Sequence, residues 1–323
     1  VRFKRVYVEI TNRCNLHCSF CPVSSRPART MTAEEFRRAA EAIRPYCDYL
    51  YLHVKGEPLI HPQLEEILEI CRQLNFQVNL TTNGVLIPMR QQLLLSAPAV
   101  RQTNLSLHSY TQATHGPLEE WLERLTNYAR ASAELGRYTV FRVWNLDDKR
   151  ETTRDGQKTL DFLERSFSVE PGGIREMAAR YRSVTLDKGI FVSFEEEFVW
   201  PSLQNPFLGD QGTCYGARTM AAVLADGTVV PCCLDGEGEC PLGNLFEQPF
   251  GEIVEGKRMT AMARDLTNRQ VKEPLCQRCG YRLRFGGGNK NPHEGKRNLR
   301  NGGLKGASSQ EKTNEFNREQ KEK

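Results

Sequence analysis

With 323 residues, 39% hydrophobic and 26% charged, the chain reads as an ordinary globular protein of one large domain or two smaller ones. Its formal net charge of +4 lies in residues 286–323, which hold nine Lys/Arg against five Glu. Residues 1–285 are therefore neutral, and a nucleic-acid partner has no electrostatic footprint there.

No apolar run approaches the roughly 18 residues of a membrane span, and Val1 to Ile10 lacks the apolar centre of a signal peptide. A cytoplasmic protein follows, with eleven Cys serving as thiols or thiolate ligands rather than disulfides.

Strand and helix patterns alternate over the first 200 residues. Val6 to Ile10 reads as a buried strand, and Thr32-Ala33-Glu34-Glu35 opens an amphipathic helix running to about Tyr46. Tyr49 to Val54 is a second strand. Leu64, Ile67, Leu68 and Cys71 give Pro62 to Leu74 helical spacing. Strands at Phe76 to Leu80, Thr103 to Leu107 and Tyr138 to Trp144 alternate with helices at Val85 to Ser96, Leu118 to Leu135 and Gly156 to Phe167; Gly189 to Phe194 is a sixth strand. Six βα units are too few for a closed eight-stranded barrel. The expectation is an α/β fold, a partial (βα)6 parallel barrel, with its working residues at the C-terminal ends of the strands.

The texture changes after Pro206. Residues 207–285 hold six of the eleven Cys. They read as a hairpin (Ala221 to Ala225, Asp226-Gly227, Thr228 to Val230), loops and one helix. That is too little apolar material for a separate core, so the segment must be clipped by metal or docked on what precedes it. The organisation expected is a core domain at 1–206, a small Cys-rich domain at 207–285 and a disordered basic tail at 286–323.

Cys14-Asn15-Leu16-His17-Cys18-Ser19-Phe20-Cys21 follows the first strand. Its C-x3-C-x2-C spacing lets three thiolates hold three corners of a cubane iron–sulfur cluster and leave the fourth iron open. A zinc site completed by His17 is the simpler alternative. The motif, set after the first strand of a βα repeat with an aromatic before its last Cys, resembles that of the radical S-adenosylmethionine (SAM) superfamily. The resemblance implies that SAM chelates the open iron of a [4Fe–4S] cluster on Cys14, Cys18 and Cys21, and is cleaved reductively to a 5′-deoxyadenosyl radical. It also places Phe20 at the cofactor.

Strand ends in the same order extend the resemblance. Lys55-Gly56-Glu57-Pro58 is similar to the family's Gly-Gly-Glu-Pro, with Lys55 at the first Gly, and implies that Gly56 and Glu57 hold the SAM amino group. Thr82-Asn83-Gly84 resembles Thr-Asn-Gly. Ser106-Leu107-His108 resembles Ser-Leu-Asp, which gives Ser106 the SAM carboxylate or ribose. Arg142, on the fifth strand, could pair with the SAM carboxylate or lie at the surface.

Downstream, Cys214 precedes Gly227-x4-Cys232, and Cys276-Gln277-Arg278-Cys279 closes the segment. This is ligand spacing for zinc or iron–sulfur. The arrangement resembles the SPASM or twitch extension of radical SAM enzymes. No Cys follows Cys279, so the shorter twitch form is implied: one auxiliary [4Fe–4S] cluster on Cys214, Cys232, Cys276 and Cys279. Vicinal residues on a strand face opposite ways, so only one of Cys232 and Cys233 can easily face the cluster, and the resemblance to Gly-x4-Cys implies Cys232; Cys240 is read as a loop thiol, with a spare ligand as the alternative, and Cys47 and Cys71 as core residues.

The implied activity is oxidative modification of a peptide or small molecule, with a flavodoxin- or ferredoxin-like electron donor. The lack of room for a leader-peptide-binding domain weighs against a peptide. RNA modification and a non-catalytic iron–sulfur or zinc module are the alternatives.

Overall fold

The computed structural model describes residues 2–22, 24–147 and 151–285. The tail expected at 286–323 lies outside the described residues.

Six strands lie parallel and side by side: β1 (Arg5–Val8), β2 (Tyr49–Tyr51), β3 (Gln77–Thr82), β4 (Val100–Ser106), β5 (Tyr138–Leu146) and β7 (Ile190–Glu196). β6 (Ser183–Asp187) pairs antiparallel to β7 and closes that edge. The crossovers hold α1 (Ala33–Ile43), α2 (Leu64–Gln73), α3 (Ile87–Ser96), the short α4 (Gln112–His115), α5 (Leu118–Glu134), α6 (Arg154–Ser166) and α7 (Gly173–Arg180). The βα repeat read from the periodicity is thus present.

The local reasons are visible at α1. Thr32 Oγ1 accepts from Glu35 N at 3.1 Å, and Glu35 Oε2 accepts from Thr32 N at 2.8 Å. This box satisfies two donors that a helix start leaves over. Phe36, Ala39, Ala40 and Ile43 then fall on one face and are buried in the main core.

Strand alternation sorts the other layer. Val6, Val8 and Ile10 pack among the helices, whereas Tyr7 joins Tyr51, Met220, Ala222 and Leu224 in a second cluster inside the sheet. The sheet must curl. Arg142 on β5 acts electrostatically on His53, just past β2, and Tyr7 and Tyr51 act on Arg142. Across a flat sheet β1 and β5 would stand about 19 Å apart, beyond an arginine's reach. The curl makes the partial barrel and gives it an interior.

The Cys-rich segment docks by continuing this sheet. β8 (Met220–Val223) pairs parallel to β1, in register from Arg5↔Met220 to Val8↔Val223. β9 (Thr228–Val230) and β10 (Gly243–Asn244) follow antiparallel. Ala221, Val223, Val229, Phe250 and Met259 share the core of Val6 and Phe36, which supplies the burial that the segment's own composition could not.

Several elements depart from the sequence expectation. The one helix expected after Pro206 is three: α8 (Phe250–Val254), α9 (Lys257–Thr267) and α10 (Pro274–Gln277). Gly256 caps α9, and Pro274 starts α10. β6 and α7 were not expected. Gly172-Gly173 reads as a breaker, yet Gly172, at φ +80°, is the residue from which α7 begins. Among the described residues no helix is long and apolar enough to cross a membrane.

Candidate active site

The first thiol loop leaves β1 and is tied at its neck. Thr11 bridges Thr30, their hydroxyls 2.9 Å apart. The Asn12 side chain donates to Pro27 O at 2.9 Å and accepts from Arg29 N at 2.7 Å. Within the loop all three thiols are free; Cys14 is exposed, and Cys18 and Cys21 are partly buried. Cys21 N donates to Cys18 O at 3.0 Å. Burial, then the neighbouring Cys14 and Cys21, push the Cys18 thiol up to about 11. The thiols thus hold protons that a metal group must displace on binding. His17 is exposed.

Two strand ends lock onto this loop. Gly56 has φ +78°, and a Cβ on it would lie 2.2 Å from Thr11 O and 2.8 Å from Arg13 O. Only glycine allows the β2 end to approach the loop this closely. Glu57 N donates to Arg13 O at 2.9 Å. The Glu57 carboxylate is buried and accepts from Leu59 N at 3.0 Å and Asn83 N at 2.8 Å. Burial pushes it up to about 7 against those donors. The Asn83 side chain in turn donates to Asn15 Oδ1 at 2.8 Å, between Cys14 and Cys18. Gly56, Glu57, Asn83 and the thiol loop therefore form one connected rim.

Farther round, Phe20 packs on His108 with ring centroids 4.8 Å apart. His108 Nδ1 lies 3.1 Å from Arg142 O. Ser106 ends β4 beside Arg142 in register, and its carbonyl accepts from Ser109 Oγ at 2.6 Å. The Arg142 guanidinium lies over Trp144, 4.3 Å from its ring centroid. Tyr7, Tyr51, Tyr281 and Cys233 act on it. Arg142 is half-buried and lies toward the barrel interior.

The second thiol group is more enclosed. Burial, then Cys233, Cys214, Cys276 and Cys279, raise Cys232. Burial, then Cys214, Cys240 and Cys279, raise Cys276. All are free thiols. Cys233 also meets Tyr7 and Arg5 while still feeling Cys214, so it stands between this thiol group and the barrel interior. Cys240 is a loop thiol, as read, and is buried near Glu273 and Cys276.

Sequence reasoning also missed the charged groups that fasten these parts together. Glu9 is fully buried, and both its oxygens lie 2.7 Å from Arg26 Nη2. It accepts further from Lys55 N and Ala225 N, each at 3.1 Å. Lys55 Nζ donates to Pro22 O at 3.1 Å and pairs with Glu237. Glu237 also accepts from Ser25 N and Ser25 Oγ, both at 2.8 Å. Arg282, buried, donates to Cys276 O, Gly209 O and Gln211 O at 2.9, 2.9 and 2.6 Å, and so cinches the segment that bears the thiols. Of these, Glu9, a charge between the apolar Val8 and Ile10, and Lys55, at the first Gly of the motif, carry a local signal.

Curled parallel sheets work at the C-terminal ends of their strands, and here that end is a rim of thiols and hydrogen-bonding groups. The class is that of α/β barrels built around an iron–sulfur centre. Residues 8–155 match the model of the radical SAM superfamily, and residues 214–280 that of SPASM, an iron–sulfur cluster-binding domain. The chain belongs to the radical SAM superfamily and carries a SPASM-type domain.

It is 23% identical over 316 residues to the AdoMet-dependent heme synthase of Methanosarcina barkeri, covering 83% of this chain and 87% of that one. The crystal structure of BtrN with AdoMet and 2-DOIA superposes with a TM-score of 0.57 at 19% identity, over 86% of this chain and 93% of that one. Streptococcus suis SuiB bound to its precursor peptide SuiA gives 0.54 at 14% identity, over 87% and 70%. The two structures share the fold.

Membership of this family brings a [4Fe–4S] cluster, SAM and an auxiliary iron–sulfur cluster. Both donor sets fit. Each is made of free thiols, the ligand type such clusters take. Among the described residues no three or more His, Cys, Asp or Glu side chains are gathered as ligands of a single metal ion; in a cubane each thiolate takes its own iron, so its ligands need not meet at a point.

Proposed function

We propose that this chain is a radical SAM oxidoreductase that modifies a peptide or a small molecule. In this reading Cys14, Cys18 and Cys21 hold the SAM-binding cluster. Cys214, Cys232, Cys276 and Cys279 hold the auxiliary [4Fe–4S] cluster. Residues 1–206 make the radical, 207–285 serve the auxiliary cluster, and the protein works in the cytoplasm. The observation that carries the proposal is the joined rim: Glu57 and Asn83 tie two strand ends to the loop of three thiols.

The cluster with bound SAM supplies a carbon-centred radical able to take a hydrogen atom from an unactivated C–H bond. The chain's residues supply position. Gly56 brings backbone carbonyls close to the loop, and Glu57 offers a carboxylate to the SAM amino group. Asn83 orients the loop through Asn15, Ser106 faces the SAM carboxylate or ribose, and Phe20 on His108 walls the cofactor. With Cys214, Cys232, Cys276 and Cys279 all as ligands, the auxiliary cluster would have no site for substrate and would serve to accept an electron from a substrate radical. A flavodoxin or ferredoxin would supply the electron for SAM cleavage. The M. barkeri relative and BtrN favour a small molecule, and SuiB a peptide.

Anaerobic reconstitution with iron and sulfide should load about eight irons per chain, two [4Fe–4S] groups. About four irons with one zinc would remove the auxiliary cluster from the proposal.

Glu57 gives a second expectation. Its carboxyl sits at about 7 in the folded chain against an ordinary 4.5. Folding therefore takes up a proton in that window, and the group's contribution to stability falls as pH rises from 4.5 to 7. The ionised form is the one that can accept from an amino group. SAM affinity of the reconstituted protein should rise about tenfold more between pH 6 and pH 8 in wild type than in Glu57→Gln. Parallel profiles in titration calorimetry would take Glu57 out of the SAM site.

A further inference from the structure

The barrel interior carries two guanidinium groups, Arg5 on β1 and Arg142 on β5, and among the described residues neither has a carboxylate partner. The nearby acids are committed elsewhere. Glu9 is held by Arg26, and Glu195 by Arg182 and Arg284. Around the two arginines stand Tyr7, Tyr51, His53, Tyr281 and Cys233, none of them a carboxylate.

Three polar atoms on this inner layer are buried without a hydrogen-bond partner: Arg5 Nε, His53 Nδ1 and Asn79 Oδ1. Asn79 stands beside Tyr51 in register. Burial lowers both Arg142 and, to about 3, His53. The aromatic faces compensate only in part. Arg5 lies 5.7 Å from the Tyr51 ring centroid and Arg142 4.3 Å from that of Trp144. Such contacts contribute roughly 0.5–2 kcal/mol and satisfy no N–H donor. A buried donor without an acceptor costs about 1–3 kcal/mol, and more when charged. One guanidinium with an orphaned donor, Arg5, near orphaned His53 Nδ1 and a second guanidinium without a carboxylate, Arg142, is what an anion-binding pocket holds before its ligand arrives.

We propose that the interior between Arg5, His53 and Arg142 binds an anionic group of the substrate, a carboxylate or a phosphate. The inference rests on the radical SAM reading for the word substrate and on the two unpaired arginines for the word anionic. The anion accepts from both guanidiniums (and from His53 in its Nδ1–H tautomer), which fixes the substrate below the thiol rim. It also takes Arg142 away from SAM, whose carboxylate is left to the strand-end residues.

The test uses the full chain, reconstituted anaerobically and saturated with SAM. Inorganic phosphate, succinate and neutral succinamide are titrated in by calorimetry. One anion should bind wild type, and Arg5→Gln and Arg142→Gln should each weaken it at least about tenfold, with SAM affinity unchanged. Succinamide should not bind. Phosphate alone binding assigns a phosphorylated substrate, and succinate alone a carboxylic acid. Arg5→Lys, which keeps the charge, should recover part of the binding and guards against misfolding of the glutamine variant; iron content and far-UV dichroism check each protein.

Absence of anion binding to wild type overturns the proposal, as does equal binding to both glutamine variants. Weakened SAM binding in Arg142→Gln with anion binding intact would return Arg142 to SAM. Wild type that binds the anion but fails to bind or cleave SAM would instead sink the radical SAM reading and leave the anion site standing.

Discussion

Replacing Cys14, Cys18 and Cys21 together with alanine should abolish SAM cleavage and remove about four irons, leaving about four on the auxiliary site. The structure keeps the two thiol groups chemically separate. The first sits on a loop fastened by Thr11, Asn12 and Asn83. The second is cinched by Arg282 through backbone carbonyls of its own segment. Removing the first three thiols leaves each of those hydrogen bonds intact. Iron analysis and electron paramagnetic resonance of the reduced triple variant would check this. Loss of both clusters would show that the segments take up iron as one cooperative unit, through the Lys55–Glu237 pair and the Ala225–Glu9 hydrogen bond. Unchanged iron would mean that these thiols are not ligands.

The second large effect is expected from Gly56→Ala. A side chain at φ +78° costs about 1–3 kcal/mol in strain alone. Its Cβ would also stand 2.2 Å from Thr11 O, a backbone atom pinned by its bridge to Thr30, so the loop itself must shift. Total destabilisation should exceed about 3 kcal/mol, with SAM binding lost as well. Gly136→Ala is the control. Gly136 has φ +73° with nothing within 4 Å of the added atom, and should lose only about 1 kcal/mol. Chemical denaturation of both variants separates the two effects. Equal losses would mean that the close approach of Gly56 to the thiol loop carries no weight.

Much of this site could be read from sequence because its signals are local. A C-x3-C-x2-C loop, a Gly-Glu-Pro turn and an Asn-Gly strand end each fit within a few residues, and the βα repeat fixes their common side of the sheet. The hairpin at Asp226-Gly227 was legible for the same reason, since Gly227 at φ +88° is demanded by its turn.

The charged ties were not legible, because their partners lie far apart in the chain. Lys55 stands where the first glycine of the motif is usual, and sequence alone cannot say what its ammonium reaches. In the fold it reaches Pro22 O and Glu237, 182 residues away, and packs over Gly236, where a Cβ would lie 2.7 Å from its stem. Lys55 thus ties that strand end to the Cys-rich segment. Arg142 is a similar case. Its place on a strand suggested either SAM or solvent, and only the curl of the sheet turns it toward Tyr7 and Tyr51. α7 was hidden behind Gly172-Gly173, of which Gly172, left-handed, is the residue from which the helix starts.

The account stands or falls on what the thiol rim does to SAM. The most direct measurement is chromatographic detection of 5′-deoxyadenosine after the anaerobically reconstituted full chain is reduced with dithionite in the presence of SAM. Wild type should form it, and the Cys14, Cys18 and Cys21 triple variant should not. Wild type that carries about eight irons and binds SAM, yet forms no more 5′-deoxyadenosine than the triple variant, would contradict the account.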